Sequence, residues 1–237
     1  MSERRPYSAG AELARFAGWA AFDAGRHVQA RRYWHAGLRA AHHGGDPGMF
    51  AYLLSNLALQ AVYAGDGRTA INLLEVARER AGTASSLTVL AMLDAWQVRA
   101  HAAVGEGREA ARLLSRADEL WECRVPDDDP AWIYLLTQPS LTAEAGLAFL
   151  ALGQAKVAEQ LLSEGLEALP PDSQRDRILY LTRIASARLA QRGGVEGALE
   201  AAGEAVRLAC TLDSARAMDQ LHEFAARVTA LHPGAPR

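Results

Sequence analysis

A chain of 237 residues, 50% hydrophobic and 22% charged, has the composition of one large or two small core-forming domains. Its formal charge of −3 lacks the cationic surface that neutralises phosphates, which argues against direct binding of nucleic acid. The opening MSERRPYSAG carries no apolar stretch behind its arginines, and nowhere do about 18 uncharged apolar residues run together, so no membrane span is expected and the expected location is the cytoplasm.

From the amino end, residues 1–10 read as a flexible tail ahead of a single repeat domain over 11–231. Periodic apolar positions predict paired helices near 9–24 and 27–43, 48–64 and 68–81, 86–104 and 108–122, 139–152 and 155–168, and 174–191 and 195–211. A last, unpaired helix near 214–231 opens on Ser214 as its N-cap, and residues 232–237 read as a tail. No sustained period-two alternation predicts a strand.

Five glycines punctuate the pairs: Gly25, Gly65, Gly105, Gly153 and Gly193, separated by 40, 40, 48 and 40 residues. Each follows a first helix where a left-handed cap is needed. An alanine stands five residues after each, at Ala30, Ala70, Ala110, Ala158 and Ala198. Nine after comes Trp34, Leu74, Leu114 or Leu162, with Ala202 the exception, and twelve after comes Gly37, Ala77, Ala117, Gly165 or Ala205. Small residues at these spacings share one helical face and admit a neighbouring helix, while the bulky residue fills the space beside the contact. The stretch GLAFLALGQAKVAEQLLSEGLEALPP, residues 146–171, resembles the tetratricopeptide repeat most fully, down to Pro170. That family's period is about 34 residues, so a spacing of 40 marks degenerate relatives. The expected fold is therefore all-α: a tetratricopeptide-like α-solenoid of five helical hairpins plus a C-terminal capping helix.

The longer third interval falls in ECRVPDDDPAWIYLLTQPS, which reads as a loop with one short helix, Trp132 and Tyr134 turning back onto the repeats. Trp132 either covers a seam or lines a groove. Cys123 and Cys210 lie far apart in helical surroundings, and both are expected to be buried, reduced thiols.

Polar residues then stand out within the first helices. Tyr52, Asn56, Gln60 and Tyr63, at i, i+4, i+8 and i+11, form one stripe. On a concave solenoid face such amides can pair with an extended peptide backbone; otherwise they are an ordinary solvated face. Asp94, Gln97 and His101 recur at i, i+3 and i+7, as an internal network tied to Arg99 or a neighbouring repeat, or as ligand contacts with Glu144 or Asp94 orienting the histidine. Glu12, Arg15, Tyr180 and Arg183, on the first and last inner helices, could hold the charged ends of a ligand or pair with neighbours. The groove so framed holds Trp19, Tyr52, Asn56, Gln60, Asp94, Gln97, His101, Trp132, Tyr134, Glu144, Tyr180 and Arg183. No nucleophile, metal-ligand spacing or phosphate loop accompanies these residues, so neither cofactor nor metal is expected and an enzyme is the least favoured reading. His27, His35, His42 and His43 include no i, i+4 pair and read as surface histidines.

GWAAFDAGRHVQARRYWHAGLRAA (18–41), VRAHAAVGE (98–106), DPAWIYL (129–135) and LDSARAMDQLHEF (212–224) resemble the C-terminal regions of actinobacterial Xre-type helix-turn-helix regulators, and the dominance of arginine over a lone Lys156 agrees. The resemblance implies an effector or oligomerisation domain. Ten residues ahead of the first repeat helix hold no DNA reader, so the chain is expected to be a piece of a regulator or a stand-alone relative. A more distant likeness, to peptide-pheromone receptors of Gram-positive bacteria, implies a small molecule or short peptide in the concave groove. Against it stands an interaction scaffold, a homodimer or a docking site for a partner protein, with no small ligand.

Overall fold

A computed structural model describes residues 4–83, 85–210, 212 and 214–231 of the chain. Among them run eleven α-helices and no strand: α1 Arg4–Asp23, α2 His27–Gly44, α3 Pro47–Tyr63, α4 Gly67–Ala81, α5 Leu87–Ala103, α6 Gly107–Glu122, α7 Gln138–Ala151, α8 Ala155–Glu167, α9 Gln174–Leu189, α10 Val195–Ala209 and α11 Ala215–Leu231. The five spaced glycines end the first helices with φ between 71° and 80°, a left-handed conformation that costs any other residue strain. Helix starts are fixed by side chains that satisfy otherwise unpaired N–H groups: Asp46 accepts from Met49, Asp66 from Thr69, Ser86 from Val89, and Ser214 from Ala217. Thr137 and Ser140 close a reciprocal capping box on α7.

Each first helix packs on its second helix, α3, α5, α7 and α9 touch in succession, and α2, α4 and α8 lean on the following hairpin. The first helices thus form an inner layer and the second helices an outer one. Size complementarity sets the close crossings. A Cβ added at Gly18 would lie 2.1 Å from Nε1 of Trp34, which is wholly buried, and one at Gly146 would lie 2.9 Å from Leu162. Gly37 and Gly165 face Leu53 and Tyr180 at 3.0 Å in the same sense.

The stack curls until its ends meet. Helix α11 packs on α9 and α10 and reaches α1, where Asp23 pairs with Arg216 at 3.0 Å and with Arg175. The inner helices α3, α5 and α9 are consequently buried on nearly every side, the outer helices covering one flank and neighbouring inner helices the others.

Several expectations are corrected. Helix α1 begins at Arg4, so the described part of the amino-terminal tail is helical; residues 1–3 and 232–237 lie outside the described residues. The 40-residue alignment places Leu114 in the bulky position of the third hairpin, yet Leu113 is the fully buried residue there. Cys123 and Cys210 are free but exposed, because each follows the last turn of its helix where the chain leaves the packed face. The insertion forms two short 3-10 turns, Pro126–Asp128 and Ala131–Leu135, instead of one. Trp132 does turn inward, its ring 4.9 Å from that of Tyr52, whereas Tyr134 points outward with 62% of its surface exposed.

Candidate functional site on the inner face

The stripe along α3 is interior. Tyr52 is buried, its hydroxyl accepting from Trp19 Nε1 at 2.9 Å and its ring set against Trp96 and Trp132. Gln60 donates to the carbonyl of His27 at 3.0 Å, tying α3 to the start of α2. Asn56 is completely buried, and among the described residues neither its amide nitrogen nor its oxygen has a hydrogen-bond partner. The repeat register explains the burial: Met49, Leu53, Asn56 and Gln60 form the face that α3 turns to the preceding hairpin, as Leu53 against Gly37 and Gln60 against His27 demonstrate. A single sequence reveals the stripe but not which neighbour covers it.

The third-hairpin residues separate. Asp94 is fully buried between α4 and α6, accepting from Arg116 Nε and Nη2 at 2.6 and 2.7 Å and from Arg78 Nη1 at 2.6 Å. Its partners are these two arginines and not Arg99, and the carboxylate joins the second and third hairpins. His101 pairs with Glu106 at 2.6 Å, not with Glu144 or Asp94, and Glu106 reaches on to Arg68 at 2.7 Å. Both pairs lie apart from the inner cluster, and Gln97 is simply buried.

What the fold does bring together is a set of charged groups around Tyr63. Arg183 Nη2 and Gln220 Nε2 donate to its hydroxyl at 3.1 and 3.2 Å, and the Arg99 guanidinium lies 4.9 Å from its ring centroid. Arg99 pairs with Glu144 at 3.2 Å, and Arg216 with Asp23. Burial raises the Tyr63 phenol, but the guanidiniums of Arg183, Arg99 and Arg216 outweigh it and bring the pKa down to about 7. Tyr180, beside the same Arg183, goes the other way: burial pushes it up to about 12.

Of the sequence candidates, Glu144, Tyr180 and Arg183 therefore belong to one cluster, Trp19, Tyr52 and Trp132 to an adjoining aromatic one, and Asp94, His101 and Tyr134 to neither. Tyr63 continues the α3 stripe and was legible as such. Arg99 enters the sequence reading only as a partner for Asp94 or Gln97, whereas it pairs with Glu144; Asp23, Arg216 and Gln220 were missed as site residues, since no local pattern places a capping helix against the first repeat.

No family model and no curated protein matches the chain. Among solved structures it is similar to a kinesin light chain TPR-like repeat protein from Podosopora anserina, with 19% identity, a TM-score of 0.51, and coverage of 88% of this chain and 96% of that one. It is also similar to BtubC from P. vanneervenii, with 15% identity, a TM-score of 0.52, and coverage of 88% and 90%. At such identities the likeness is one of architecture, and the chain is a tetratricopeptide-like repeat solenoid.

Proposed function

We propose that the chain is a protein-interaction module that receives a partner's amphipathic helix on the outward face of α1. The supporting observation is a stripe of Ala9, Leu13, Phe16 and Ala20, at i, i+4, i+7 and i+11, all exposed, Leu13 at 71% and Phe16 at 52%. Forty residues on, the equivalent positions are Met49, Leu53, Asn56 and Gln60, the face by which α3 packs on the preceding hairpin. The α1 stripe thus corresponds to a stacking face of the repeat and stands uncovered among the described residues, and its shape suits a helix pair better than an extended peptide.

Sensing of a small molecule or short peptide, within a transcription-regulator family, is a second reading. The arginine cluster around Tyr63 favours it, while the buried Tyr52, Asn56 and Gln60 offer a peptide no surface.

The docking reading is tested with Leu13→Glu/Phe16→Glu. Proteins co-purifying with the chain from its host are quantified for wild type and variant, and hydrogen exchange is followed over residues 9–20 in the captured complex. The expected outcome is loss of one defined partner in the variant and slowed exchange along α1 in the wild-type complex. An unchanged set of proteins, with native circular dichroism, would overturn the reading. Concentration-dependent dimerisation abolished by the variant would instead assign the face to a second copy of the chain.

A further inference from the structure

A buried guanidinium is unfavourable unless some negative charge meets it. Three of them, Arg99, Arg183 and Arg216, converge on Tyr63 from α5, α9 and α11, while two carboxylates answer them: Glu144 pairs with Arg99, and Asp23 with Arg216. Among the described residues no carboxylate pairs with Arg183. This arginine is only 9% exposed, its Nη2 reaches the Tyr63 hydroxyl, and its Nε has no hydrogen-bond partner among the described residues. The side chains of Glu144 and Asp23 keep 20% and 18% of their surface exposed, so the cluster communicates with solvent.

We propose that this cluster is a binding site for one small oxyanion group, such as a carboxylate, which docks on Arg183 and takes the place of the Tyr63 hydroxyl oxygen as its partner, with Gln220 as a neutral donor beside it. Without the anion, the Tyr63 phenolate is the counter-ion that Arg183 otherwise lacks, in keeping with a phenol pKa lowered to about 7. When the anion binds, the phenolate takes up one proton from solvent and the charge of the cluster is conserved. Binding and protonation are thereby linked: anion affinity falls as pH rises above neutrality, and the anion raises the pH at which Tyr63 ionises. The other groups around Tyr63 are accounted for on each element packed against it. Asp23 on α1 is held by Arg216 and Arg175; His27 on α2 lies against Phe22 and Gln60; Arg68 on α4 turns to Glu106; Glu144 on α7 holds Arg99; and Tyr180 on α9 stays protonated.

The test is a spectrophotometric titration of the phenolate band in the full chain from about pH 6 to 9, with Tyr63→Phe as the blank. It is run in chloride and then in sulfate or acetate at matched ionic strength. A phenolate forming near neutral pH is expected in chloride, with its midpoint raised by about one unit, a tenfold shift, in either oxyanion. Arg183→Met is expected to abolish the oxyanion response and to move the Tyr63 midpoint up toward the ordinary tyrosine value, while Arg183→Lys retains part of both. Equal midpoints in chloride and oxyanion overturn the proposal, as does a sulfate response that survives in a folded Arg183→Met protein. If Arg183→Met fails to fold, the Arg183→Lys protein decides: an undiminished response there has the same overturning force.

Discussion

Asp94→Ala tests whether the third-hairpin polar residues hold the fold together. The carboxylate is fully buried and accepts three charge-assisted hydrogen bonds of 2.6–2.7 Å, two from Arg116 and one from Arg78. Removing one partner of a buried ion pair costs roughly 3–5 kcal/mol, because the remaining charge is stranded. Here the arginine side chains keep 27% and 34% of their surface exposed, so water can re-solvate them and the loss falls at the low end, about 3 kcal/mol. For a chain of this size that corresponds to a fall in Tm of about 6–12 °C. Urea unfolding followed by circular dichroism measures it, and the double variant with Arg116→Met should recover part of the loss, since no charge is then stranded on that side. A loss below about 1 kcal/mol would refute the reasoning and return Asp94 to the list of functional candidates.

Gly18→Ala is expected to destabilise by about 1–3 kcal/mol, because its Cβ would fall 2.1 Å from the fully buried Trp34 indole; Gly18→Ala combined with Trp34→Leu should cost less than the sum of the two single changes, as read by thermal unfolding. Asn56→Leu should raise stability by about 1 kcal/mol in urea, since it replaces a buried amide without a partner among the described residues by an apolar side chain of similar size; a fall of that amount would mean that the amide is satisfied in solution, as by the neighbouring Tyr52. Tyr63 makes stability depend on pH in a defined direction. Its folded pKa of about 7 lies below the unfolded value, so its contribution grows as pH rises above about 7, levels off near pH 10, and is lost as pH falls through 7. Relative to Tyr63→Phe, the wild type should gain about 1.5 kcal/mol between about pH 7 and 8.5, and a flat difference would contradict the cluster electrostatics.

The spacing of Gly25, Gly65, Gly105, Gly153 and Gly193 determined the hairpins by itself, because a left-handed turn and a 3.6-residue period are local properties written directly into residue type. Small-against-large pairs were legible for the same reason: positions on one helix face recur at fixed offsets, and Gly37 and Gly165 do admit their neighbours closely. Which way each face points was not local. The Tyr52, Asn56 and Gln60 stripe reads equally as a wet groove or a buried seam, and only the packing of α3 on the preceding hairpin decided that it is a seam. Asp94 likewise read as tied to Arg99 or to a neighbouring repeat, but only the packing singled out Arg78, 16 residues before it, and Arg116, 22 after it, on two outer helices. The curl of the stack decided most. By carrying α11 back to α1, it placed Arg216 and Gln220 beside Tyr63, more than 150 residues away, and made a cluster of charges from residues that each look like ordinary helix surface in the sequence. Coulomb interactions act through space, and the accumulated rotation of five hairpins sets those distances.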